Sequence, residues 1–126
     1  MVDIGLQSDH WKRGAQEEWQ VAGELLEKGR LRHALFFTHL AVEKALKAHV
    51  CRKTGDLAPR THNLVRLAEV AGLQPSPDQL RILAALNEFV LAGRYPESLT
   101  PEPSSEEARR YRSDAEKVFQ WLMNES

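Results

Sequence analysis

RLRHALFFTHLAVEKALKAHV, residues 30–50, decides the fold. At about 100° per residue, Leu31, Leu35, Val42 and Leu46 gather on one side of a helix. Ala34, Ala41, Ala45 and Ala48 line another side, where small side chains let a neighbouring helix approach closely. Phe36, Phe37 and Leu40 add apolar surface elsewhere around the circumference. A helix that is apolar almost all round belongs at the centre of a bundle.

The same stretch carries a polar seam. Arg32, His39 and Glu43 stand at i, i+7 and i+11, within about 40° of one another on a helix. Lys47 follows Glu43 at i+4, the favourable order for an ion pair. Such a seam has two physical meanings. Buried charges persist when they are paired, so it can be a satisfied network that fixes helix packing. It can also line a cleft where Arg and His act on an anion. Metal binding is disfavoured: His33, His39 and His49 share no tight face, the helix has no His–x3–His pair, and Cys51 is alone.

Outward from this segment the helical period continues. Ser8 reads as an N-cap, followed by a stripe of Trp11, Ala15, Trp19, Ala22 and Leu26 that stops at Gly29. So short a connection makes the first two helices antiparallel neighbours. The second helix, about 30–53, stops before Thr54-Gly55. Thr61 is the expected cap of a short third helix near 62–71, closed by Gly72. Ser76-Pro77 opens a fourth, bearing Leu80, Leu83, Ala84, Leu86 and Val90 and ending at Gly93. RYPESLTPEP holds three prolines and reads as a loop. Ser104 with Glu107 forms a capping box for the last helix, whose stripe is Ala108, Tyr111, Ala115, Val118, Phe119 and Leu122. Strand alternation and internal repeats are not evident. The expectation is one all-α domain over residues 1–126: an antiparallel up-and-down bundle of four long helices plus one short one.

Composition narrows the class. The 126 residues are 42% hydrophobic and 28% charged, which suits a globular domain with a small core rather than a disordered chain. The N-terminus has no basic region followed by an apolar stretch, and no uncharged run approaches the roughly 20 residues of a membrane span. With Cys51 unable to form an internal disulfide, the expected location is the cytoplasm. The net charge of −1 conceals a basic middle: residues 28–66 hold nine Lys and Arg against Glu43 and Asp56, between two acidic flanks. That segment suits phosphate or an acidic partner, unless the flanks pack beside it and neutralise it.

Three pieces, in order, carry a family resemblance. ALFFTHLAVEKALKAHV resembles the central helix of HEPN domains, with an aromatic pair followed by A-x-E-K-A-L-K-A. PRTHNLVRLAE is similar to the family's P-x-T-H-x-L segment, and GRYPE to its R-Y-P motif. The resemblance runs from about residue 11 to 122. It implies a helical bundle, commonly a homodimer, in a bacterial or archaeal setting where the domain often accompanies a minimal nucleotidyltransferase as a toxin–antitoxin or related pair. It implies nucleotide or RNA as ligand, no cofactor and no metal. The matched positions Glu43, Lys47, His62, Arg94 and Tyr95 are then ligand contacts or members of a polar network. Glu43 and Lys47 would pair with each other or with Arg94. His62 would meet ligand or nearby backbone. Arg94 and Tyr95 would close a cleft or brace the turn.

Many members of the family are metal-independent ribonucleases with Arg and His four to six residues apart. Arg32-His33-(five residues)-His39 meets that spacing. His39 would then serve as general acid or base and Arg32 would stabilise phosphate charge. In most active members the motif lies on a late helix, and here the late helix, 104–126, has no His. Three readings follow: a module that binds nucleotide, RNA or a nucleotidyltransferase partner; a ribonuclease using Arg32 and His39; and a non-catalytic dimeric scaffold. Arg109, Arg110 and Arg112 read as a solvated face that could touch phosphate.

Overall fold

The computed structural model describes the backbone of residues 3–94 and 103–124, and the side chains of 3–88 and 103–124. Its described residues form five helices: α1 (Ile4–Glu27), α2 (Leu31–Thr54), α3 (Leu64–Val70), α4 (Pro77–Arg94) and α5 (Ser105–Asn124). α2 touches each of the other four, whereas α1 packs along α2 and reaches α5 only slightly. The all-round apolar pattern of α2 is thus matched by its central place. Val42 and Leu46 are sealed in the core with residues of α3, α4 and α5, Leu35 packs separately with Leu26 of α1 and Ala108 of α5, and Ala41 and Ala45 let Ala15 of α1 approach.

Local chemistry sets the helix ends. Gly29 sits at φ +75 between α1 and α2, and Gly55 at φ +66 closes α2, positions where a side chain would meet its own carbonyl. Ser76 and Gln79 exchange bonds at the start of α4: Gln79 N–H donates to Ser76 Oγ at 3.1 Å, and Ser76 N–H to Gln79 Oε1 at 2.8 Å. The expected box at α5 is present, with Glu107 N–H donating to Ser104 Oγ at 3.1 Å.

Other local expectations are corrected. α1 begins five residues earlier than expected, because Asp3 caps it through Leu6 N–H. Ser8 lies inside that helix, buried, and donates to the Ala48 carbonyl of α2 at 3.2 Å. α3 is capped by Asn63, while Thr61 accepts from Asn63 N–H in the turn before it. Among the described side chains of α4, Ile82, Leu83 and Leu86 are buried and Leu80 and Ala84 face outward; the expected Val90 lies outside the described side chains. The expected loop over 94–103 falls mostly outside the described residues.

Candidate functional site

The polar seam of α2 becomes a cluster because the α2–α3 connection folds back over it. Glu43 is its hub, its side chain only 4% exposed. Lys47 Nζ lies 3.2 Å from Glu43 Oε2, one turn on along the helix. His62 Nδ1–H donates to Glu43 Oε1 at 2.8 Å. Both carboxylate oxygens are therefore paired, which a charge at this depth requires. Lys47, itself nearly buried, also lies 5.1 Å from the Trp11 ring centre, within cation–π range. Trp11 thereby covers the seam from α1.

His39 is held from its other side. It is 1% exposed, and its Nε2–H donates to the His62 carbonyl at 3.1 Å. A carbonyl only accepts, so the bond fixes the Nε2–H tautomer. Burial pushes the His39 imidazole down from 6.5 to about 4, against the opposing pull of the Glu43 charge. Nδ1 of His39 stands 3.9 Å from Glu43 Oε1, beyond hydrogen-bond distance. Asn87 of α4 also meets the ring. In addition, Asn87 accepts from Leu64 N–H at 3.0 Å and donates to Asn63 Oδ1, so it ties α4 to the start of α3.

The structure thus brings together Glu43, Lys47, His39 and His62. Arg32 lies on the same helical face, half-buried, with its Cα about 10 Å from that of His39 along the axis. Arg94 is the last residue of α4, and Tyr95 lies outside the described residues. Sequence reasoning missed Asn87. Its signal was an amide set among Leu83, Leu86 and Val90, where a poor helix former needs another reason to be present. The remaining buried polar groups of α2 are satisfied by backbone: Thr38 Oγ1 donates to Ala34 O at 2.7 Å, and His49 Nε2–H to Leu122 O at 2.6 Å.

The basic middle of the chain does not form one patch. Lys28 and Arg30 are exposed at the start of α2, whereas Arg52, Lys53, Arg60 and Arg66 are exposed around its end, about 36 Å away. Lys44 is neutralised by Glu18 of α1 at 3.1 Å. At the basic end, a groove of about 490 Å³ opens among Val50, Leu57, Pro59, Thr61, Arg66 and Val70. Arg112 departs from a solvated face. Its guanidinium stacks 3.8 Å over Trp19, burial lowers its pKa, and its Nη1 is buried without a hydrogen-bond partner. Among the described residues, no three His, Cys, Asp or Glu side chains form a metal-holding group, and no helix is long and apolar enough to cross a membrane.

A family model described as the HEPN domain matches residues 8–126. Two solved structures share the fold. One is TT1696 from Thermus thermophilus, 20% identical, with a TM-score of 0.80 over 95% of this chain and 98% of that one. The other is ST0689, an archaeal HEPN homologue, also 20% identical, with a TM-score of 0.73 over 99% and 98% of the two chains. No curated protein matches the sequence.

Proposed function

This chain belongs to the HEPN domain family, and on that premise we propose that it works by binding rather than through an Arg32–His39 catalytic pair. The single observation that carries this reading is the state of His39. A general acid or base must reach its substrate's proton and carry a pKa near the working pH. His39 is sealed, donates its Nε2–H to a backbone carbonyl, and is neutral down to about pH 4. These properties suit a strut that locks the 59–63 segment onto α2.

The ligand we favour is a polyanion, RNA first, met by the exposed cations Arg52, Lys53, Arg60 and Arg66 at the end of α2. A nucleotide, or an acidic surface of a nucleotidyltransferase in a toxin–antitoxin pair, is recognised by the same charges. The second reading is a homodimeric scaffold in the cytoplasm. Phe36, Phe37 and Leu40 support it, as half-buried apolar side chains on one side of α2.

The test combines fluorescence anisotropy on a labelled single-stranded RNA with RNA cleavage in EDTA. The expected result is binding that weakens steeply with salt and falls severalfold in Arg52→Gln/Arg60→Gln, with no cleavage dependent on His39. Absence of binding at low salt overturns the polyanion reading in favour of the scaffold. Cleavage lost in both Arg32→Ala and His39→Ala, with folding intact, overturns it in favour of the ribonuclease.

A further inference from the structure

The basic end of α2 carries more than charge. Its groove is shaped by short-range bonds within TGDLAPRT, residues 54–61. Gly55 at φ +66 ends α2. Thr54 Oγ1 donates to the Val50 carbonyl at 2.8 Å and accepts Asp56 N–H at 3.2 Å. Asp56 Oδ1 then accepts Leu57 N–H at 2.7 Å. At the far end of the stretch, Thr61 Oγ1 accepts Asn63 N–H at 3.2 Å. The backbone that lines the groove is thus held before any ligand arrives, which lowers the ordering cost of binding.

Three kinds of surface meet there. Val50, Leu57, Pro59 and Val70 supply apolar walls, and Leu57 leaves 52% of its surface open to water. The volume, about 490 Å³, is that of a small-ligand site. Asp56 also lines the groove and takes part in no ion pair among the described residues. An ionised carboxylate only accepts, with places for about four hydrogen bonds, and Leu57 N–H fills one of Asp56's. The third surface is cationic. Arg66 lines the groove, its guanidinium 3.2 Å from Glu69 in a pair open to solvent. Arg60 stands between the lining residues Pro59 and Thr61, and Arg52 two residues before Thr54, both exposed.

Each surface narrows the occupant. An acidic peptide would set its carboxylates beside Asp56, and a basic one would meet three arginines. Inorganic phosphate makes no use of apolar walls. The set fits a body with apolar faces, adjacent N–H donors on one edge, and phosphate on either side. We propose that the groove seats one unstacked guanine of a single-stranded RNA. Its ring N–H and amino group donate to Asp56, Leu57 and Pro59 cover its faces, and Arg52, Arg60 and Arg66 take the flanking phosphates. A duplex keeps that donor edge in its base pair, so the groove selects single strands. This inference rests on the polyanion reading above and adds to it the base and the strandedness.

The test uses the full chain and two labelled probes: a short oligouridine, and the same strand with one central guanosine. By fluorescence anisotropy, wild type is expected to bind the guanosine strand severalfold tighter. Asp56→Asn keeps an oxygen for Leu57 N–H and is expected to lose that preference while still binding oligouridine. Leu57→Ser, at an exposed position, is expected to lose it as well. Arg52→Gln/Arg60→Gln should weaken both strands alike. Methyl ¹³C shifts locate the base: those of Leu57 and Val70 are expected to move with the guanosine strand. Equal affinity for the two strands, or a preference that survives Asp56→Asn, overturns this inference and leaves the polyanion reading standing. Binding of neither strand at low salt overturns both. Leu57 and Val70 methyls that ignore the RNA but move with an acidic peptide bearing one leucine assign the groove to a protein segment and overturn the proposal.

Discussion

Acid should weaken this fold through His39 in a calculable window. The unfolded chain protonates His39 near 6.5, whereas the enclosed imidazole resists until about 4. Between those values the unfolded state binds more protons than the folded one, so stability falls as pH falls. The contribution is fully present above about pH 6.5 and is lost progressively down to about pH 4. Two and a half pKa units at about 1.4 kcal/mol each amount to about 3 kcal/mol, a large share of a small domain's stability. The perturbation is His39→Gln, which keeps an N–H donor for the His62 carbonyl but cannot titrate. Glu43 and the His62 carbonyl flank position 39, and every other titratable group is common to both proteins, so their contributions largely cancel in the comparison. The assay is urea unfolding from pH 8 to 3. Relative to the variant, wild type is expected to lose on the order of 1–3 M in midpoint across the window, given urea slopes of about 1–3 kcal/mol/M. Parallel midpoint curves would refute the burial argument. A loss confined below pH 4 would assign the acid transition to carboxylates instead.

Two further outcomes test the packing. Arg112→Met is expected to lie within about 1 kcal/mol of wild type by urea unfolding, because it keeps contact with Trp19 and removes a buried N–H that has no partner; a loss beyond about 2 kcal/mol would show that the cation itself holds α5 to α1. Glu43→Gln alone strands the Lys47 charge and should cost about 3–5 kcal/mol, and adding Lys47→Met should recover part of that loss. Additive losses in the double-mutant cycle would show that the pair is not coupled.

Much of the architecture was legible because helix geometry is local. The period of residues 30–50 announced a central helix, Ser76-Pro77 and the Ser104 box marked two starts, and Thr54-Gly55 marked a stop. Local reasoning failed where a competing group was equally local but better placed. Asp3 displaced Ser8 as the cap of α1, and Asn63 displaced Thr61 at α3, since the sequence offers several capping side chains and only tertiary packing chooses among them. Leu80 and Ala84 looked like core by spacing, yet the side of α4 that meets α2 passes through Ile82, Leu83 and Leu86.

The candidate site divides along the same line. The sequence by itself determined that Arg32, His39, Glu43 and Lys47 share one helical face, because 100° per residue requires it. It also supplied the three pieces that mark the family. Only the tertiary structure decided what stands opposite that face. His62 arrives 19 residues after Glu43 and 23 after His39, across a turn whose path depends on α3, α4 and Asn87. Periodicity states the direction a side chain takes from its own axis. It carries no information about which loop closes over it, and that closure encloses His39 while leaving His62 at the surface.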